Sequence, residues 1–342
     1  MTVDRATGSL WARLRATRAQ PRGAAATDRH RRAVYTAALE QAEQLFRAAA
    51  TVGPATRPLL AFYGLSQAGR SIAAAASAAP APDGWRLSGH GIKGIDWTRP
   101  LDEIEVHGDG SARGSFMRLS AILDSPAWDR SGTVRLGALW DTLPENVRWP
   151  LRDGPHRRLP LEVTYFESRG DDDAISATLH GLPEWVVRST SPRADLDSYL
   201  AAYPEAVDYQ YTPINQHPDA GPLFVVDEVS GTGSIHLRWT MPSGAGTSPA
   251  DRTRRLETIA RTYGRTRLLF PAVGTNVASL HPLMAWWSVL YALSMLARYQ
   301  PAEWARHIDV NESGYAVPIE RLLDKAVVAV PSLVYQTLDE VC

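Results

Sequence analysis

Apolar residues recur at helical spacing toward both ends of the chain and in short alternating runs through its middle. Residues 9–20 read as a short basic helix. Asp28 is a fitting N-cap for a second helix to about Ala50, along which Val34, Ala38, Leu45 and Phe46 mark the inner face. Gly53-Pro54 ends it. Pro58 opens a third helix through Tyr63 and Arg70 to about Ala79, stopped by Pro80 and Pro82. From Trp85 onward apolar runs alternate with Gly, Asp and Pro, which predicts strands at Ile104–Val106, Leu161–Phe166, Ile175–Leu179, Leu223–Val229 and Ser234–Thr240. A small helix is expected near Leu136–Leu143 and a flexible loop over Met241–Pro249. Helix returns from Ala250 to about Tyr263, with one more strand at Arg267–Pro271. A long aromatic helix starts at Pro282 and is broken at Pro301. Two further helices are expected at Pro318–Asp324 and Val327–Leu338.

That order predicts an α+β fold, because βαβα alternation is absent. N-terminal and C-terminal helices pack together beside a mostly antiparallel central β region. The expected regions are a basic N-terminal arm (1–27), an N-terminal helical region (28–84), a β-rich region (85–249) and a C-terminal helical region (250–342) forming one unit with 28–84.

Two of the helices carry polar residues where a core helix would carry Leu or Ala. Tyr63, Ser66, Gln67 and Arg70 are spaced by three, four and seven, so they share one face; Tyr291, Ser294 and Arg298 do the same on the aromatic helix. A buried polar group must find a partner. The two stripes either interlock as a hydrogen-bond network or line a pocket between helices.

The 342-residue chain is large enough for two domains, and its net charge of -1 argues against a field that draws nucleic acid to the whole molecule. Charge is unevenly placed, however. Arg13, Arg15, Arg18 and Arg22 lie in a strongly basic N-terminal segment that could touch phosphates. Of the 36 basic residues only Lys93 and Lys325 are lysine. The one cysteine, Cys342, excludes an internal disulfide and a cysteine zinc site. No signal-like segment and no membrane-length apolar run is visible, which predicts a cytoplasmic protein without a membrane partner.

Catalytic signatures are missing. Gly89-His90-Gly91-Ile92-Lys93-Gly94 sets an imidazole and an ammonium among glycines, but it matches neither a P-loop nor a dinucleotide fingerprint. It reads as a phosphate-binding loop or as a tight turn in which His90 is held by backbone. The nine histidines form no zinc motif, so neither a metal nor a cofactor is expected. Asp171-Asp172-Asp173 reads as a hairpin turn, and Ser66 lacks the strained setting of a nucleophile elbow. Arg298 and His307 are too far apart, with Pro301 between them, for the paired Arg and His of helical HEPN ribonucleases.

On Leu59-Leu-Ala-Phe-Tyr-Gly-Leu-Ser-Gln67, Ser88-Gly-His-Gly91 and Leu293-Ser-Met-Leu-Ala-Arg-Tyr-Gln-Pro-Ala-Glu-Trp304 the chain resembles the YaaC-like family of bacterial proteins over roughly residues 30–340. The basic N-terminal arm falls outside that span. The resemblance implies an intracellular α+β protein and supplies no catalytic residues.

Two function classes follow. One is a non-catalytic interaction subunit, with a protein partner or a second copy of itself, in a nucleic-acid-directed or phage-defence assembly. Trp286, Trp287, Tyr299 and Trp304 would be its contact aromatics if exposed. The other is an enzyme or a nucleotide- or phosphate-binding protein whose cleft gathers Ser66, Gln67, Arg70, His90, Lys93 and Arg298.

Overall fold

A computed structural model describes residues 2–78, 83–111, 113–128, 132–165, 173–212 and 221–342, with side chains from residue 8 onward. Its elements in chain order are α1 (Thr2–Ala19), α2 (Ala24–Thr27), α3 (Arg29–Thr51), α4 (Arg57–Ala75), β1 (Ile92–Ile95), β2 (Glu105–Gly108), α5 (Ser115–Ile122), β3 (Val134–Arg135) and α6 (Leu136–Asp141). There follow β4 (Leu161–Tyr165), β5 (Ala174–Leu182), α7 (Glu184–Val187), α8 (Pro192–Leu200), β6 (Tyr209–Tyr211), β7 (Phe224–Val226), β8 (Gly233–Thr240) and α9 (Pro249–Ile259). The last are β9 (Arg261–Tyr263), β10 (Thr266–Leu269), α10 (Pro282–Tyr299), α11 (Pro301–His307) and α12 (Ala316–Val341). The fold is α+β with antiparallel sheets. Of the Asp171–Asp173 run only Asp173 lies within the described residues; its carboxylate accepts from Arg238 Nη2 at 2.6 Å.

The chain divides into two compact units: Met1–Asp153 with Gly274–Asn276 and Leu280–Cys342, and Gly154–Val273 with Val277–Ser279. Residues 250–273, grouped by the sequence with the C-terminal helices, belong to the second unit.

In the first unit α4 lies against α3, α10 and α12. Its glycines make this close approach possible. A Cβ at Gly64 would stand 2.9 Å from the Phe46 ring, and one at Gly69 2.7 Å from Trp287 Cζ3. α10 is buried from Pro282 to Leu296, so its polar residues must be satisfied from within the protein. Trp286, Trp287 and Trp304 are core residues here, and only Tyr299 of the four aromatics is exposed. Trp304 Nε1 donates to the carbonyls at Pro54 and Ala55. Asp28 caps α3 as expected, accepting from the amides of His30 at 2.7 Å and Arg31 at 3.0 Å.

Where two C-terminal helices were expected, α12 runs unbroken through Pro331. Pro331 removes one backbone donor, at a cost of about 3 kcal/mol in a plain helix. The buried row Ile319, Leu322, Leu323, Ala326, Val330, Leu333, Val334 and Leu338 continues in phase on both sides of it, and that packing offsets the loss. α1 likewise buries Trp11 and Leu14, and Tyr35 donates a hydrogen bond to Thr17 on its inner face. A three-stranded antiparallel sheet, β1-β2-β3, completes this unit.

The second unit is built on an antiparallel sheet in the order β6-β8-β5-β4-β10-β9, with β7 beside β6 on the same edge of β8. In β8, Ile235, Leu237 and Trp239 face the core, where α8 and α9 pack, while His236 and Arg238 face away. The helix expected through Tyr263 stops at Ile259. Gly264, at φ 62°, instead turns β9 into β10 as a hairpin.

Candidate functional site

The side chains singled out on α4 and α10 lie in the first unit, where the two helices meet. Arg298 Nη1 donates to the Tyr63 hydroxyl at 2.7 Å, the hydrogen bond that joins the two polar stripes. The other members are held within their own helices. Arg70 Nη1 reaches back one turn to Ser66 Oγ at 3.1 Å and the Ser66 carbonyl at 3.3 Å. Ser294 is fully buried and donates to the Tyr291 carbonyl at 2.8 Å, so it satisfies itself and adds nothing to the junction. Gln67 is half-buried beside Ser66.

His90 is delivered to this junction by the loop before β1. Gly89 and Gly91 take φ of 59° and 74°. A Cβ on Gly91 would sit 2.8 Å from the Cα of Gly114, so glycine is required by a backbone crossing. The loop is pinned to the start of α5: the Phe116 amide donates to the His90 carbonyl at 2.9 Å, and Ser115 Oγ to the Gly89 carbonyl at 2.7 Å. The glycine-rich segment thus acts as a rigid turn that fixes the His90 backbone. Lys93 is exposed on β1, opposite His107.

Three aromatic rings flank the half-buried imidazole. Its ring centroid lies 5.4 Å from Phe62, 6.3 Å from Tyr63 and 5.8 Å from Tyr291, and Phe62 also meets Trp287 edge-on at 5.9 Å. Burial, followed by the charges of Arg298 and Arg70, holds His90 below the usual histidine value, so it is neutral at pH 7. Burial also lowers the Arg70 guanidinium, which nevertheless stays charged. Tyr291 is pushed up to about 12 by burial, with Tyr299 and Asp109 adding to the effect. Among the described residues no carboxylate pairs with Arg70 or Arg298. The junction therefore presents two guanidiniums, a neutral imidazole and hydroxyls, a set that can hold an anion and can accept a proton from it.

The arginines of the N-terminal segment are engaged inside the first unit. Arg15 pairs with Glu43, Arg18 with Glu40 and Arg22 with Asp339. Arg22 Nη2 also donates to Tyr335 Oη at 3.1 Å, and the Arg13 guanidinium lies 4.1 Å from the centre of the Tyr335 ring. These contacts tie α1 to α3 and α12. Among the described residues no group of three His, Cys, Asp or Glu could hold a metal ion, and no helix is long and apolar enough to cross a membrane.

Sequence reasoning placed the polar residues but missed Phe62, the ring on which His90, Tyr63, Tyr291 and Trp287 converge. An aromatic beside a tyrosine in an apolar helix reads as ordinary core. Only the fold reveals what its ring touches.

The class defined by this arrangement is an α+β protein whose helical unit holds a cationic, histidine-containing junction without a metal-ligand set among its described residues. Within that class, the chain belongs to the YaaC-like family, whose family model, YaaC-like Protein, matches residues 8–338. The match takes in most of the basic N-terminal segment, which the resemblance alone had left outside. No curated protein and no solved structure matches the chain.

Proposed function

We propose that the protein binds a small anion at the junction of α4 and α10, with Arg70 and Arg298 as charge donors and His90 and Tyr63 completing the site. The observation that carries this reading is the pair of guanidiniums acting on one imidazole with no carboxylate partner among the described residues. A half-buried arginine is costly unless its charge is answered, and hydroxyl and carbonyl contacts answer it only in part. A bound phosphate or carboxylate would supply the missing charge. His90 then serves as a hydrogen-bond partner whose proton affinity rises when the anion arrives. No carboxylate hydrogen-bonds its ring among the described residues, which favours binding over acid–base catalysis.

Thermal unfolding with inorganic phosphate tests this. A ligand at 100 times its dissociation constant adds roughly 2.7 kcal/mol. Wild-type protein is expected to gain stability with phosphate, and the double variant Arg70→Gln, Arg298→Gln to gain none. Equal gains in both would sink the reading.

A second reading, an interaction subunit, is supported by Tyr299, which is 59% exposed beneath the Arg298 guanidinium at 5.0 Å. Exposed aromatic and arginine pairs are favoured at protein interfaces. Light scattering of wild type against Tyr299→Ser would register the change of mass this reading requires.

A further inference from the structure

Arg70 has a second side. It lines a pocket of about 340 Å³ together with His30, Val34, Trp85, Arg86 and Leu87. That volume falls at the lower end of the range for small-molecule sites, roughly 300–1,000 Å³. The walls divide by chemistry. Val34 on α3 and Leu87 and Trp85 in the turn before β1 are apolar, while Arg70 and Arg86 are cationic and no carboxylate is among the lining residues. Arg86 is paired with Asp83 at 2.9 Å, and that carboxylate is largely exposed. Arg31 is committed elsewhere, with Nη1 donating to the Ala76 carbonyl at 2.8 Å and its guanidinium 5.2 Å from the Trp85 ring centre. His30 meets Trp85 edge-on at 5.5 Å, which fixes that wall. Arg70 is thus the lining cation left without a carboxylate partner among the described residues.

We infer that this pocket binds an organic anion, an acid group on Arg70 with an apolar body against Val34, Trp85 and Leu87. The inference rests on the anion-binding reading and adds the class of ligand. An inorganic ion would leave the apolar walls unused. A neutral apolar molecule would leave the half-buried guanidinium unanswered. Only a molecule with both parts satisfies both walls, and Arg70, shared with the His90 junction, is where its charge must lie. Phosphate and carboxylate suit that guanidinium equally well.

Calorimetric titration of the full chain with inorganic phosphate, phenyl phosphate and benzoate tests this. Phenyl phosphate, benzoate or both should bind at least tenfold tighter than inorganic phosphate, and which of them does so identifies the acid group. Val34→Asp, which places a negative charge in the apolar wall of the pocket, should weaken the ring-bearing anions at least tenfold. Arg70→Gln should weaken every anion. If neither ring-bearing anion binds tighter than inorganic phosphate while all three still depend on Arg70, the organic ligand class is wrong and the anion site stands. If no anion binds, or binding ignores Arg70→Gln, the anion site falls and the organic class with it. If binding is tight but indifferent to Val34→Asp in a variant that folds like wild type, the ligand's body lies elsewhere and the pocket assignment is overturned.

Discussion

Gly69→Ala is a sharp test of how closely α4 and α10 pack. In an open helix, glycine to alanine stabilises by about 1 kcal/mol. At Gly69 the added methyl would stand 2.7 Å from Trp287 Cζ3 and 3.1 Å from Leu119 Cδ2. Carbon atoms prefer roughly 3.5–4.0 Å, so the methyl must displace its neighbours by about an ångström. Trp287 is completely enclosed and cannot yield cheaply. Overpacking of this kind costs about 1–3 kcal/mol, which outweighs the helical gain and leaves a net loss of about 1 kcal/mol. The midpoint of unfolding should fall by about 2–4 °C for each kcal/mol in a unit of this size. Gly8 provides the control: it lies in α1 with nothing within 4 Å of an added Cβ, so Gly8→Ala should stabilise by about 0.5–1 kcal/mol. Urea unfolding followed by circular dichroism measures both, with an unchanged slope showing that the midpoint shift reports stability alone. If Gly69→Ala stabilised as Gly8→Ala does, the helices would not approach as described and the junction would lose its basis.

Other expectations concern buried polar groups. His281 Nδ1 accepts from the Leu283 amide at 3.1 Å and caps α10, so its proton sits on Nε2, 2.9 Å from Glu340. His281→Asn keeps a capping oxygen and His281→Ala does not; alanine should cost about 1 kcal/mol more, read by urea unfolding, and equal losses would deny the cap. In the second unit, the Tyr203 hydroxyl lies 2.7 Å from the Leu159 carbonyl and 2.9 Å from the Tyr199 hydroxyl, so Tyr203→Phe removes both hydrogen bonds from a buried site and should cost about 1–2 kcal/mol by the same assay. Burial lowers both His90 and His307, so the unfolded chain takes up protons first as pH falls. Their contribution to stability is present above about pH 6.5 and is lost as pH falls toward the folded-state values; a melting temperature flat from pH 7 to 5 would contradict this.

The α+β class was legible because helical periodicity gives way at Trp85 and returns from Ala250, and β8 alternates residue by residue as strand physics requires. The end of α9 at Ile259 and the continuity of α12 across Asp324–Val327 were not: the first is set by the β9–β10 hairpin turning at Gly264, the second by a buried stripe that continues in phase through Pro331. At the junction, spacing by three and four correctly put Tyr63, Ser66 and Arg70 on one face. It could not tell that Arg70 turns back on Ser66 while Arg298 crosses to Tyr63, because side chains of similar reach choose partners by packing. Phe62 belongs to the Leu59–Gln67 motif, but neither that motif nor the residues at Trp85 and Leu87 tell what their side chains touch. Their roles exist only once α3, α4 and the turn before β1 are folded together.

The central claim is that Arg70 and Arg298 bear on a half-buried, neutral His90 and await an anion. Its most direct measure is the pH titration of the His90 ring by nuclear magnetic resonance. The midpoint should lie below the ordinary value of about 6.5, rise in Arg298→Gln without fully recovering because burial dominates, and rise in wild type when an anion binds. A His90 that titrates at the ordinary value, unmoved by the loss of Arg298 and by phosphate or benzoate alike, would contradict it.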